Sequence, residues 1–320
     1  MRRRTPRHTR RAAIALALCA QAALALAASA HALSPPAVDT GPAHAVTYSS
    51  ALITGSVNPN GSETYFYVQY GQTKAYGAQT GISRIGSGTH RVSVSMPIGG
   101  LQPLTLYHYR VVAVNSAGVT NGSDARFTTT KVPLSLQIVT APNPVPFGGA
   151  IVIDGTLSGT GNGGREVVLQ ANSFPFTAGF QNVGNPELTT PTGSFSFALL
   201  GMSLVTQFRV VTLTKPQVVS PVAVEAVAVR VSYHVGRSHR AHHVRFSGSV
   251  VPAEDGAHVG ILRIVHGRGV LVAGAVLRHA SATRSSFRAD VRFHRGLYRV
   301  LVVVTNGAQV SAYGPSVFLR

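Results

Sequence analysis

Ser238-His239-Arg240-Ala241-His242-His243 places three histidines within five residues, and clustered imidazoles in a loop are a starting point for zinc or copper binding. The neighbours argue against it. No carboxylate is close in sequence, and Arg237, Arg240 and Arg245 would repel a dication. The segment is expected to be a solvated hairpin, and no metal ligand is assigned. Guanidinium groups offer a second chemistry. Over Phe287–His294, period-two alternation sends Arg288, Asp290, Arg292 and His294 to one solvent face, with Phe287, Ala289, Val291 and Phe293 turned inward. The same rule puts His243 and Arg245 on the outer face of another strand. A row of guanidinium forks grips phosphate or carboxylate bidentately, so Arg245, Arg288, Arg292 and His294 are the candidate contacts for an anionic polymer. The competing explanation is compositional, because Arg replaces Lys and Ala abounds across the whole chain.

Covalent chemistry finds less support. There is no Gly-x-Ser-x-Gly elbow, and the single cysteine, Cys19, lies in a segment expected to be removed. Glycosidic hydrolysis needs two carboxyls facing each other across the bond, yet the ten acidic residues are scattered, and the only adjacent pair, Glu254-Asp255, sits in a turn-like Pro252-Ala253-Glu254-Asp255-Gly256. Ser158–Gly164 has the glycines of a phosphate loop without its lysine, and reads as a strand connection. No catalytic residue and no cofactor is assigned, and the chain is expected not to be an enzyme. Tyr65 and Tyr67 should point opposite to Phe66 and Val68, as an exposed aromatic pair for a sugar or protein partner or as ordinary sheet-surface tyrosines. Asn60-Gly61-Ser62 and Asn121-Gly122-Ser123 match glycosylation acceptors and equally fit plain turns.

The charge is polarised along the 320 residues. Lys and Arg number 28 against ten Asp and Glu, a formal charge of +18. Six of the arginines lie in Met1–Arg11. Val229–Arg320 carries 13 Arg, no Lys and three acids, a net 13 − 3 = +10, together with eight of the 13 histidines. Residues 131–228 balance at four basic and four acidic, and residues 33–130 have five against three. Cationic surface of this kind attracts anionic polymers such as teichoic or uronic chains or lipopolysaccharide.

The basic N-terminus leads into the uncharged Ala/Leu run Ala12–Ala28 and then small-x-small sites at Ala28-Ser29-Ala30 and Ala30-His31-Ala32. That order is a secretory signal peptide, assigned to residues 1–32, with a retained anchor as the alternative. No later stretch is long and apolar enough to span a bilayer as a helix. The predicted localisation is secreted or cell-surface, and a chain without thiols suits an oxidising exterior.

The elements that must carry these groups read as strands. Val92, Val94 and Met96 alternate, as do Tyr107, Tyr109, Val111 and Ala113 against His108, Arg110, Val112 and Val114. No segment shows a convincing 3.6-residue period. An apolar-x-Gly-Ser/Thr-apolar element recurs around Gly55, Gly155 and Gly248, and an aromatic-Arg-Val element follows at Tyr109, Phe208 and Tyr298. The separations are 109 − 55 = 54, 208 − 155 = 53 and 298 − 248 = 50 residues. Near-constant spacing predicts three β-sandwiches of about 95 residues each, over 33–130, 131–228 and 229–320, joined by short linkers.

Within the first of these, Val57-Asn58-Pro59-Asn60-Gly61, Tyr67-Val68-Gln69-Tyr70-Gly71, Leu101-x-Pro103-x-Thr105-x-Tyr107-x-Tyr109-Arg110-Val111, Asn115-Ser116-Ala117-Gly118 and Phe127-Thr128-Thr129 resemble the fibronectin type III domain of secreted bacterial proteins. The resemblance implies that Tyr107 makes the corner hydrogen bond at the start of strand F. The family's usual core tryptophan is absent, which leaves its space to Phe66, Val68 and Tyr70. The other two segments are only generically similar to immunoglobulin-like repeats. The expected fold class is therefore all-β, three tandem immunoglobulin-like or fibronectin type III-like sandwiches after a signal peptide. The expected role is a non-enzymatic spacer or adhesion module at the bacterial exterior, or a binder of anionic envelope polymers through the Arg-rich C-terminal segment. Its partners would be an anionic cell-wall polysaccharide or another surface protein, with no intracellular nucleic acid.

Overall fold

The computed structural model describes residues 33–320, so the signal segment and Cys19 lie outside the described residues. Every regular element among them is a strand. The chain divides at Val132/Pro133 into two compact units.

The first unit contains β1 (Ala37–His44), β2 (Ser50–Asn58), β3 (Thr64–Gly71), β4 (Ala78–Gln79) and β5 (Ser83–Gly86). It continues with β6 (Val92–Gly99), β7 (Leu106–Asn115), β8 (Gly118–Asn121) and β9 (Ala125–Thr128). One antiparallel sheet has the order β1-β2-β6, and the other is built on β4-β3-β7-β8 with β5 and β9 alongside. Ile53, Val57, Val94 and Ile98 of the first sheet meet Phe66, Val68, Tyr109 and Val111 of the second in one buried cluster. Two antiparallel sheets with their alternate residues interdigitated are the immunoglobulin-like and fibronectin type III-like sandwich. Phe66 and Val68 are buried, and Tyr70 packs against the same cluster. Asn60 and Gly61 take left-handed φ of 52° and 82° in the turn from β2 to β3, a conformation that Asn and Gly adopt at least cost.

The second unit holds two cores. Around the first are β10 (Ser135–Ala141), β11 (Val145–Pro146), β12 (Gly149–Ser158), β13 (Glu166–Ser173) and β14 (Gln181–Leu188). They are followed by β15 (Ser194–Met202), β16 (Thr206–Thr212), β17 (Ala223–Glu225) and β18 (Val227–Ala228). Sheet β10-β12-β15 packs Ile151, Ile153 and Phe197 against Leu169, Phe208 and Val210 of sheet β14-β13-β16-β17, and β11 pairs in parallel with β18. Around the second core are β19 (Arg230–Arg237), β20 (His243–Val251), β21 (His258–Val265), β22 (Arg268–Val276) and β23 (Arg278–Ser281). Then come β24 (Arg284–Arg292), β25 (Gly296–Val303), β26 (Ala312–Tyr313) and β27 (Val317–Leu319). Here sheet β19-β20-β24-β23 faces sheet β22-β21-β25-β26, with Phe246, Phe287 and Val291 packed on Ile261, Tyr298 and Val300.

The three repeated glycines lie in the strand that is second in sheet order, β2 of β1-β2-β6, β12 of β10-β12-β15 and β20 of β19-β20-β24-β23. In each case a carbonyl of the preceding strand stands where a Cβ would be. Asp39 O is 2.6 Å from that point at Gly55, Gln137 O is 2.9 Å away at Gly155, and Ser232 O is closer still at Gly248. The other side is closed by the Val111 methyl at Gly55, the Phe195 ring at Gly155 and the Phe287 ring at Gly248. Rings from the third strand of the sheet thus cover glycines directly opposite them, Gly155 paired with Phe195 and Gly248 with Phe287.

The two cores of the second unit meet through the loop after β25. Val205 N–H donates to Ala308 O and Gln309 Nε2 donates to Ser203 O, each at 2.8 Å. The loop is braced from within its own sandwich. Asn306 Nδ2 lies 3.1 and 2.9 Å from the two carboxylate oxygens of Glu254, which burial pushes above the ordinary glutamate pKa range against the opposing hydrogen bond. Glu225, fully buried, accepts the Val145 N–H at 3.2 Å, and its carboxyl is likewise raised by burial, opposed by Thr140 and by that N–H.

Two stability measurements test this packing. Gly248→Ala forces a Cβ into backbone and ring, and is expected to cost about 2–3 kcal/mol in chemical denaturation. Gly236→Ala, with nothing within 4 Å of its added Cβ, should change stability by no more than about 0.5 kcal/mol. Equal effects would contradict the close approach. For Glu225 the raised native pKa means that the native state keeps its proton to higher pH than the unfolded chain. Unfolding free energy therefore falls as pH rises from the ordinary glutamate range through the raised value. Glu225→Gln should flatten that decline, and an unchanged pH–stability curve would refute the assignment.

Candidate functional site

The outer face of sheet β19-β20-β24-β23 gathers the groups that the sequence placed on separate strands. Register pairs His243 with Arg292, Arg245 with Asp290, and Ser247 with Arg288. On the flanks, His234 lies opposite Ser247 and Arg278 opposite Ser286. Phe246, Val250, Phe287 and Val291 point into the core, so the alternate positions all face outward. The face is floored by Ser232, Ser247, Ser249 and Ser286, which line a shallow depression together with His234 and Arg288.

Arg245 is not free on this surface. Its Nε donates to Asp290 Oδ1 at 2.9 Å and its Nη2 to Oδ2 at 3.1 Å, a bidentate pair. The Arg245 hydrogen bonds, then Ser238, and the charges of Arg245 and Arg240 hold the Asp290 carboxyl below the usual range despite some desolvation. Arg278, Arg288 and Arg292 are exposed, and no acid among the described residues pairs with any of them. Arg288 and Arg292 are four residues apart on one strand, about 14 Å, and Arg278 sits across from Ser286, about 8 Å from Arg288. His294 lies beyond the end of β24, in the turn to β25, where its Nδ1 is 3.2 Å from Arg292 O. Phe293, expected to point inward, is 41% exposed because the strand has ended one residue earlier. Sequence reasoning missed Arg278 because it follows Leu277, where the chain leaves one sheet and enters the other.

The remaining residues singled out by sequence have structural partners. Tyr107 Oη accepts the Gln102 N–H at 3.0 Å, and its ring stacks on Phe127 at 5.8 Å. Tyr298 Oη donates to His294 O at 2.9 Å, a second hydroxyl reaching back across a corner, in the basic sandwich. Gly55, Gly155 and Gly248 stand at the close approaches described above. The histidine-rich stretch forms the turn between β19 and β20, with His243 Nδ1 2.7 Å from Ala241 O. Among the described residues no group of three or more His, Cys, Asp or Glu is arranged to hold a metal ion. Tyr65 is 40% exposed on the outer face of its sheet, and Tyr67 is half-buried. The nearby polar groups satisfy each other. Arg110 lies 4.7 Å over the Tyr76 ring, Tyr76 Oη donates to Asp124 at 3.0 Å, and His108 Nδ1 is 2.9 Å from Asp124. Burial works against the Asp124 carboxylate, yet the hydrogen bonds of His108 and Tyr76 hold its carboxyl below the ordinary range.

No family model and no curated protein matches the sequence. Among solved structures, the chain is similar to the FN1–FN3 domains of chicken CNTN1, at 15% identity over 90% of this chain and all of that one, with a TM-score of 0.32. It is similar to the tetra-tandem repeat in the extending region of a large adhesion protein, at 12% identity over 89% of this chain and 75% of that one, TM-score 0.31. It is also similar to the sensor domain of the anti-sigma factor RsgI4 of Pseudobacteroides cellulosolvens, at 25% identity over 31% of this chain and 98% of that one, TM-score 0.26. The fold class rests on the strand pairing itself: all-β, with two antiparallel sheets to each core and one short parallel pair, β11–β18, beside them. No helix among the described residues is long and apolar enough to cross a membrane.

The Arg245–Asp290 pair yields a direct test of how this surface is tuned. Asp290→Asn removes the carboxylate from the middle of the face and releases Arg245. The variant should elute from heparin–agarose at higher salt than the parent, with its circular dichroism unchanged. An unaltered elution position would show that the pair does not gate the cationic surface.

Proposed function

We propose that the chain is a non-enzymatic interaction protein of the bacterial cell exterior, exported by its N-terminal segment, whose C-terminal sandwich binds anionic envelope polymer. The supporting observation is the outward trio Arg278, Arg288 and Arg292, exposed on one sheet face without acidic partners among the described residues. Guanidinium forks bind carboxylate and phosphate with two parallel hydrogen bonds, and the serine hydroxyls between them add neutral donors. A repeating polyanion suits such a surface because it can meet several weak contacts at once, with the avidity of a linked ligand. On this reading the domains are 33–130, 131–228 and 229–320, and the first two act as spacer or adhesion modules that carry the cationic one. The ligand is a teichoic, uronic or similar cell-wall chain, or the acidic surface of another exterior protein.

Column chromatography of the intact chain tests the reading. On immobilised teichoic acid or heparin it should be retained at low salt and released by salt, because exposed charge contacts are screened within about 8 Å at physiological ionic strength. The double variant Arg288→Glu/Arg292→Glu should pass through with its fold intact. Passage of the parent chain at low salt, or equal retention of the double variant, would overturn the proposal.

A further inference from the structure

The opposite sheet of the same sandwich presents a very different surface. In sheet β22-β21-β25-β26, Val259, Ile261, Val300 and Val302 are buried in the core. The alternate positions therefore face away from it: Leu262, Leu271, Val276, Leu301, Val303 and Tyr313, with Gly260 and Gly274 between them and His258 and Arg299 as the polar members. An antiparallel sheet face turned to water ordinarily carries polar residues at these positions. Here Leu271 is 64% exposed, and Val276, Val303 and Tyr313 are exposed as well. None of these outward positions is acidic, and the guanidinium of Arg299 lies 4.5 Å over the Tyr313 ring. The patch also has relief. Gly260 and Gly274 are cross-strand partners and floor a hollow of about 540 Å³ walled mainly by leucine and valine side chains, with His258 at one side. Leu271 lies over Gly260, one methyl 3.1 Å from where a Gly260 Cβ would be, and no side chain comes within 4 Å of the corresponding point at Gly274.

We propose that this apolar face is a homotypic interface, and that its occupant is a second copy of the chain. The face carries both an exposed apolar residue, Leu271, and a hollow over Gly274. A two-fold axis would set each Leu271 against the other copy's hollow, which is the self-complementarity that an isologous contact requires. The charge distribution permits the same partner, because the one guanidinium on this face, Arg299, is laid over the Tyr313 ring. Residues 229–320 carry +10, which would oppose association if the cations met. The outward arginines of β24 and β23 stand on the other sheet. Packing the two apolar faces together would leave the cationic faces about 30 Å apart, three sheet spacings of about 10 Å, well beyond the Debye length of about 8 Å. The face measures about 20 by 24 Å from strand spacing and rise, so the contact buries on the order of 1,000 Å² in total, the range of a reversible dimer. Such a dimer presents two cationic faces back to back. If the polymer reading also holds, it would bridge two polymer strands, but the dimer itself does not depend on that reading.

Sedimentation velocity of the intact chain over a concentration series from about 1 to 300 µM decides the matter. The expected result is a reversible rise from monomer to dimer, unaffected by Arg288→Glu. Leu271→Asp, at an exposed position, should leave the circular dichroism and melting curve unchanged while weakening association at least tenfold (about 1.4 kcal/mol). Val303→Asp serves as an independent second variant. A monomer at every concentration would overturn the proposal, as would dimerisation that persists in both aspartate variants or that Arg288→Glu abolishes. Polymer retention by a strictly monomeric chain would sink this proposal and leave the polymer reading standing.

Discussion

The close approach of three strands at a single glycine is the constraint on which each sandwich depends. At Gly55, Gly155 and Gly248 the carbonyl of the neighbouring strand occupies the space that a Cβ would take, and a methyl or ring seals the other side. An antiparallel pair brings opposite residues to within about 4.5–5.5 Å, and a ring lying across such a pair fits only where one member has no side chain. Where Phe195 and Phe287 cover the glycine, the aromatic residue reaches deep enough to contact the second sheet, and the core is filled without tryptophan. The recurrence of the motif is thus a packing requirement met three times. It also accounts for the close similarity of the three intervals to the aromatic-Arg-Val element, since that element supplies the facing sheet's Val111, Val210 and Val300.

With the core fixed in this way, function is left to the outward positions, and the C-terminal sandwich divides them sharply. Serine, histidine and arginine cover one sheet, while leucine, valine and tyrosine predominate on the other, around Arg299 and His258. The two surfaces lie on opposite sides of an apolar core, on sheets about 10 Å apart. Asp290, an acid among the cations, sets how much of that charge is available. By engaging Arg245 it concentrates the open guanidinium groups toward β23 and the two outward positions of β24.

Much of this was legible in the residues, and the missing parts share a cause. Alternation in Tyr107–Val114 and Phe287–Val291 identified the buried side of each strand, since period two is a property of one strand alone. It contains no information about neighbours. Hence Arg245 was expected to be an open cation, although Asp290 shares the outward face of its strand with Arg288: only the register of β20 against β24 brings Arg245 and Asp290 together. Strand ends were equally invisible, which is why Phe293 and His294 were assigned to a strand that stops at Arg292. Glu254 reads as a turn acid, and only the loop after β25 folding over it makes it a buried brace. The apolar outer face was hidden for a different reason. Val300 to Val303 is apolar at every position, so periodicity cannot say which residues point out.

The parallel pairing of β11 with β18 carries a mechanical consequence. Val145 N–H donates to Ala226 O and Phe147 N–H to Ala228 O, joining the chain just after β10 to the exit of the second sandwich. Pulled from its two ends, this sandwich would have β11 drawn one way and β18 the other, so the bonds between them would bear the load in shear and yield together rather than one at a time. Tension entering through β10 would reach the clasp before it reached β12 to β16, and those strands would stay unstretched until the clasp failed as a unit.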